Sequence, residues 1–191
     1  MHDEVFVPET SLADVDTRWE ELCEQEPEYF DGEILHVIHV NATGCGGAIL
    51  QVARSSYRFH AVGDLGIKPL GCKGICKQGD NYLCGLRGKQ MAVYPNLWEF
   101  APAGMVEPTQ TPQNVIEREL EEETGLMLTS TPLAIAIFFD ENASTWEIVF
   151  QLAVQGDCTP DGTEYESLDW FTRSSLPSPM SPSSKQMKTL L

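Results

Sequence analysis

The sequence predicts a single α+β domain, and three observations carry that expectation. The chain has 191 residues, enough to bury one core of ordinary size. Its hydrophobic fraction of 42% and charged fraction of 21% are globular values. Runs rich in β-branched and aromatic residues flank one strongly helical segment, 112–124, with no internal repeat and no second core. The expected organisation is an N-terminal tail and short helix over 1–32, a main domain over 33–175, and a Pro/Ser connector with a C-terminal segment over 176–191.

Residues 1–13 read as a loose tail, followed by a helix from Thr17 to Gln25 with Asp16 as its N-cap and Pro27 as its stop. EILHVIHV (33–40) is a strand, and AILQVARSSYRFH (48–60) continues as extended chain. LGCKGICK and YLCGLRG flank QGDN, whose Gly-Asp-Asn is turn chemistry, so a hairpin is expected. NLWEFAPAG (96–104) approaches in extended form and breaks at Pro102 and Gly104. The helix that follows is capped by Thr111, opened by Pro112 and closed by Gly125. Strands are expected at 133–139, 146–154 and 169–171, and a short helix after Pro182.

The net charge of −17 excludes general affinity for nucleic acid or anionic membrane, which needs clustered Lys and Arg. MHDEVFVPET is acidic and has no basic start before an apolar run, so no secretory signal is expected. The longest apolar run, LAIAIFF (133–139), is too short to span a bilayer, and a soluble, cytoplasmic protein is the expectation. Cysteines stand at 23, 45, 72, 76, 84 and 158. Cys72 and Cys76 lie in a strand-like run without a second pair and nearby histidines, so thiols rather than a zinc site are expected.

The helical segment concentrates Glu117, Glu119, Glu121, Glu122 and Glu123 within seven positions. Glu119, Glu122 and Glu123 share one helix face at i, i+3 and i+4, while Val115, Leu120 and Ile116 point toward a core. Such a face is either solvated or made for a cation. Its acids crowd the C-terminal end, where the helix dipole disfavours them, so local stability does not explain the placement. A hard divalent cation does, because Mg²⁺ takes carboxylate oxygens together with substrate phosphates. Arg118 is placed to orient a neighbouring carboxylate.

The stretch from Gly104 to Leu126 resembles the Nudix box: Gly, five residues, Glu, seven residues, then Arg-Glu-apolar-any-Glu-Glu-any-Gly-apolar. Gly104, Arg118, Glu119, Leu120, Glu122, Glu123, Gly125 and Leu126 all fall in register. The resemblance implies the Nudix α/β/α sandwich with a mixed central sheet over most of 33–173. It also implies a divalent-metal-dependent hydrolase that cleaves a nucleoside diphosphate linked to another moiety. Glu119, Glu122 and Glu123 would hold Mg²⁺ (or Mn²⁺) with the Gly104 carbonyl, Glu119 and Glu122 serving catalysis. One position departs, since Gln110 stands where the pattern has its first Glu. That departure implies weaker binding of one metal, and it leaves open a non-catalytic nucleotide sensor.

A further carboxylate outside the box usually acts as base or extra ligand in this family. Glu164, six residues before Trp170, matches the family's spacing, with Glu166 and then Glu147 in reserve. Arg87 and Lys89 are candidates for phosphate, and Trp98 with Phe100 for a base or sugar. WEFAPAG resembles the turn of Nudix enzymes acting on ADP-ribose and nucleotide sugars. The proline that ADP-ribose enzymes carry beyond the box is absent, as Phe138–Asn142 read FFDEN. RWEELCEQEPEYFDGEILHV resembles the opening of a UDP-sugar-cleaving group. The expected substrate is therefore a nucleotide sugar (UDP- or ADP-linked), with ADP-ribose as the alternative, and an isopentenyl-type isomerase fits poorly. Members of the sugar type are often homodimers, although nothing in this sequence marks an interface.

Overall fold

The computed structural model describes residues 5–25, 29–44, 46–63 and 65–191. Helix α1 (Leu12–Gln25) starts at Leu12 rather than Thr17. The Ser11 hydroxyl accepts from the Asp14 amide, so Ser11 opens the helix, while Asp16 lies inside it and pairs with Arg58 at 2.9 Å. The expected stop at Pro27 lies outside the described residues. The expected loose tail is partly ordered, since the Phe6 amide donates to the Arg54 carbonyl at 2.7 Å. Strands β1 (Glu33–Ala42) and β2 (Ala48–Ser56) form an antiparallel pair. The extended chain expected to His60 instead turns at Ser56 into the short helix α2 (Tyr57–Ala61). Its inward residue, Phe59, joins Val15, Ile34, Val62 and Ile67 in a small core of its own.

The hairpin around QGDN is formed by β3 (Leu70–Gln78) and β4 (Asn81–Arg87). Short strands β5 (Trp98–Phe100) and β6 (Ala103–Met105) follow, and the break at Pro102 moves the chain from one neighbour to another. β5 pairs with β4, and β6 pairs with β3. Helix α3 (Pro112–Thr124) has the expected punctuation. Thr111 Oγ1 accepts from the Asn114 amide, Pro112 occupies the first turn, and Gly125 closes the end at φ 69°. β7 (Met127–Leu128), β8 (Leu133–Asp140), β9 (Thr145–Gln155) and β10 (Tyr165–Thr172) complete the strands. β10 begins before the expected 169–171, because Tyr165 is buried and pairs with Arg87 of β4. Helix α4 (Pro182–Met187) closes the chain with a 3₁₀ turn at Lys188–Leu190.

The result is a mixed α/β fold on one large sheet in the order β10-β4-β3-β9-β7, with β5, β6 and β8 attached. The central contact, β3 with β9, is parallel, and the other strand pairs are antiparallel. Helix α3 buries Val115, Ile116 and Leu120 against Cys72, Cys76 and Leu152 on one side. Met180 and Met187 of the C-terminal segment cover Ile75, Phe100 and Val149 on the other. Each fully buried aliphatic side chain there contributes roughly 1.5–3 kcal/mol. Cys72, Cys76 and Cys84 are buried in these cores as free thiols.

Candidate active site

Strand direction gathers the polar side chains at one end of the sheet. The parallel strands β3 and β9 begin there, β10 begins there, and the antiparallel strands β4 and β8 end there. A cavity of about 440 Å³ opens at that end, with Lys73, Arg87, Glu99, Glu147 and Glu164 in its wall. Ala103 and Gly104 form the side of the cavity that faces α3.

The three box carboxylates fan out at different depths beside that wall. Glu123 turns inward, is 4% exposed, and accepts from the Ala103 amide at 3.1 Å. Glu119 lies over Gly104, so closely that a Cβ on that glycine would meet its Cγ and Oε1 at 2.5 Å. Only glycine leaves room for this carboxylate beside the loop. Glu122 stays outside, and Arg118 bridges it to Glu119 with bonds of 2.7 and 2.8 Å. Among the described residues no three acidic, His or Cys side chains already converge as a closed ligand set. The donor chemistry nevertheless fits a hard cation. Burial pushes the Glu119 carboxyl up to about 7 against the pull of Arg118, with Glu122 and Glu164 adding repulsion. Burial likewise raises Glu123 well above the ordinary range, helped by Glu164 and opposed by the Ala103 amide. Acids so desolvated and mutually repelled are what a divalent ion neutralises.

Beneath them runs a buried ionic network. Glu99 is fully buried and accepts from Arg87 at 2.6 Å, from Lys73 at 3.4 Å and from the Tyr165 hydroxyl at 3.1 Å. Burial alone would push Glu99 up, but Lys73 and Arg87 hold it below its ordinary range. Burial alone would lower Lys73, but Glu99 and Glu147 raise it, so its ammonium is firmly charged at neutral pH. Arg87 also reaches Glu164 at 3.3 Å and the Val93 carbonyl at 2.9 Å. Glu164 is raised by burial, against Arg87. Glu147 is raised by burial, against Lys73 and the Thr145 hydroxyl that donates to it at 2.7 Å.

Of the residues singled out from sequence, Glu119, Glu123, Gly104, Arg118, Glu164, Glu147 and Arg87 come together here. Glu122 stands at the outer edge, held by Arg118. Five do not reach the cavity. Trp98 is turned to the opposite side, edge-on to Phe171 at 5.4 Å, because β5 presents Glu99 inward instead. Phe100, on the same side as Trp98, is core. Lys89 is exposed beyond the end of β4, and its amide donates to Glu166, which alternation on β10 places outside as well. Gln110 binds Glu107 through its amide at 3.2 Å. Sequence reasoning missed Lys73, Glu99, Tyr94 and Asp140. The available signal was a charged residue interrupting an otherwise apolar strand, as in LGCKGIC and LWEF. Tyr29 and Tyr57 also line the cavity, 6.2 Å apart, with Trp19 packed edge-on to Tyr57.

A family profile of the NUDIX domain matches residues 77–191. No curated protein sequence matches the chain significantly. Solved structures do. A MutT NUDIX hydrolase from Burkholderia pseudomallei aligns with TM-score 0.57 at 21% identity, over 63% of this chain and 95% of that one. A MutT protein from Methanosarcina mazei Go1 aligns with TM-score 0.52 at 19% identity, over 63% and 91%. A bifunctional NMN adenylyltransferase/ADP ribose pyrophosphatase from Francisella tularensis, complexed with AMP and an Mn ion, aligns with TM-score 0.52 at 21% identity, over 65% and 42%. These likenesses establish the shared sheet-and-helix arrangement. Among the described residues no helix is long and apolar enough to cross a membrane.

Proposed function

The chain belongs to the Nudix hydrolase family, and on that premise we propose a divalent-metal-dependent pyrophosphohydrolase that cleaves a nucleotide sugar to nucleoside monophosphate and sugar phosphate. Nudix hydrolases generally use divalent metals and act on small nucleotide derivatives. The observation that carries the reading is the set of desolvated carboxylates at Gly104, set beside a cavity floored by Lys73 and Arg87. Glu119, Glu122 and Glu123, with the Gly104 carbonyl, would hold Mg²⁺ or Mn²⁺. The bound ion would neutralise diphosphate oxygens and acidify a coordinated water.

The chain's own groups supply the rest. Glu164 borders both the box and the cavity, and burial raises its pKa, which makes it a stronger base than an ordinary carboxylate. It takes a proton from the attacking water as the new P–O bond forms and the anhydride P–O bond breaks. Lys73, held charged by Glu99 and Glu147 in the cavity wall, faces the negative charge that grows on the departing phosphate. The Tyr29 and Tyr57 rings offer a surface for a nucleobase. Their presence, with the opening segment that carries Trp19 and Tyr29, supports a nucleotide sugar over a bare polyphosphate.

The test is phosphate-coupled turnover on UDP-sugars, ADP-sugars, ADP-ribose, dinucleotides and nucleoside triphosphates, with and without Mg²⁺ or Mn²⁺. Metal-dependent release of sugar phosphate from a nucleotide sugar is the expected result. Preference for ADP-ribose would move the substrate within the family. Silence across the panel together with ligand-induced thermal shifts would replace hydrolysis by sensing, with Gln110 as its mark.

A further inference from the structure

Beyond the tyrosine pair lies a second cavity, of about 580 Å³, whose chemistry differs from the first. The two meet at Tyr29, Tyr57, Ala92 and Val93, which line both. The wall of the first is crowded with carboxylates. Among the described residues the wall of the second holds none, although the chain carries 29 acids against 12 bases. Tyr57, Phe139 and Ile67 give it flat and apolar surface, and Lys68 and His60 are its basic side chains.

These two groups present opposite hydrogen-bonding chemistry. The Lys68 backbone is fixed, since its amide donates to His36 Nδ1 at 3.0 Å and its carbonyl accepts from the Val37 amide at 2.9 Å. Its side chain is exposed, with Nζ 5.4 Å from the centre of the Phe139 ring, and an ammonium only donates. The His60 ring packs 5.8 Å from Tyr57, and its Nδ1 lies 3.4 Å from the Ile67 carbonyl. A carbonyl only accepts, so the ring proton sits on Nδ1 and Nε2 keeps a lone pair. Burial lowers the His60 pKa against that bond, which leaves the ring neutral at pH 7.

The cavity also lies at a useful distance from the box. Lys68 precedes Cys72 by four residues of extended chain, roughly 13 Å, and Cys72 pairs with Gly104. A phosphate held at the box and followed by a ribose brings its base past the tyrosines to this place. A keto oxygen beside a ring N–H, as in uracil and guanine, complements a donor beside an acceptor. Adenine and cytosine present an amino group beside a bare ring nitrogen and would meet Lys68 with a second donor.

We propose that the second cavity receives the nucleobase of the substrate, and that Lys68 and His60 read a keto oxygen and the adjacent ring N–H, selecting uracil or guanine over adenine and cytosine. The inference rests on the nucleotide-sugar reading above and narrows it to the keto bases.

The test uses the full chain with the UDP-, GDP-, ADP- and CDP-linked forms of one hexose. Steady-state kinetics are measured for the wild type, Lys68→Met and His60→Phe. Methionine keeps an apolar stem over Phe139 without the ammonium, and phenylalanine keeps a ring against Tyr57 without the acceptor. In the wild type kcat/KM on the UDP or GDP form should exceed that on the ADP and CDP forms by about 10- to 100-fold, mainly through KM. Each substitution should bring that ratio toward one by slowing the keto substrate while leaving the amino substrates nearly unchanged. A wild type that treats all four alike, or prefers the ADP or CDP form, would overturn the proposal. So would a ratio that either substitution leaves unchanged, including an equal loss on all four, which would mean that Lys68 only attracts negative charge. In each of these cases the nucleotide-sugar reading survives. A wild type that cleaves none of the four would instead remove that reading, and this proposal with it.

Discussion

Glu99→Gln removes one charge from the centre of the buried network and leaves its shape almost unchanged. Glu99 is fully buried between Arg87 at 2.6 Å and Lys73 at 3.4 Å, themselves only 8% and 7% exposed. The amide leaves two buried cations with Glu164 and Glu147 as their remaining acids. Breaking a buried pair by removing one partner costs about 3–5 kcal/mol. For a chain of this size each kcal/mol lowers Tm by about 2–4 °C, so the variant should melt about 6–20 °C below the wild type. The pH dependence has a definite sign. Glu99 is held below its ordinary range in the folded protein, so its contribution is present above the unfolded carboxylate pKa and is lost as pH falls through the folded one. The gap between variant and wild type should be full at pH 7 and close in strong acid. Thermal unfolding by circular dichroism in EDTA, from pH 3 to pH 8, measures both. A Tm within 2 °C of wild type at pH 7 would refute the electrostatic account of the cavity floor. Adding Lys73→Met to the variant should recover part of the loss, because Arg87 keeps Glu164.

Two further outcomes follow from the box itself. Glu122 is exposed and pairs with Arg118 on the helix surface, so Glu122→Gln should leave stability within about 0.5 kcal/mol. The same change should lower kcat by about 100-fold or more, and wild-type turnover would remove Glu122 from metal binding. For Glu119, raised to about 7 chiefly by burial, the folded metal-free protein holds a proton that the unfolded chain releases. Its stabilising effect is complete below about 4.5, the unfolded value, and is lost as pH rises through about 7. Tm in EDTA should therefore fall between pH 5 and pH 8, while calorimetric Mg²⁺ affinity rises with pH and levels off above about 7.5. Glu119→Gln should flatten both curves, and an unchanged pair of curves would dissociate Glu119 from the metal.

What was legible in the sequence follows from how local each determinant is. Helix α3 was readable to the residue, because Thr111, Pro112 and Gly125 act on the backbone within a turn of themselves. The QGDN hairpin was readable for the same reason. The start of α1 was missed because Ser11 and Asp16 are both acceptable caps, and the core formed with Phe59 and Ile34 decides between them. The box residues were legible as a spaced pattern, yet the fan of Glu119, Glu122 and Glu123 was not. Whether a glutamate turns inward depends on the Ala103 amide, which arrives from another strand. Lys73 and Glu99 are 26 positions apart and meet only through the order of strands in the sheet. Trp98 was assigned to the substrate because an aromatic beside a glycine loop suits stacking. The sign of one alternation, which sends Glu99 inward and Trp98 outward, reverses that assignment.

The charge balance of the cavity has a consequence for the order of binding. The wall holds two cations, Lys73 and Arg87, against four acids, Glu99, Asp140, Glu147 and Glu164, with the box carboxylates behind Gly104. Burial and mutual repulsion raise Glu147 and Glu164, so the field there already resists further negative charge. The whole chain, at −17, adds to that resistance. A diphosphate entering alone would be repelled, because much of the charge of the two cations is already met by Glu99. Metal should therefore be required for substrate binding as well as for turnover. Calorimetric titration of a nucleotide sugar into Glu164→Gln, chosen to slow hydrolysis, should show saturable binding with Mg²⁺ and none in EDTA at the same concentrations. Equal affinity in both would mean that Lys73 and Arg87 suffice, and that the carboxylates act only on the reaction step.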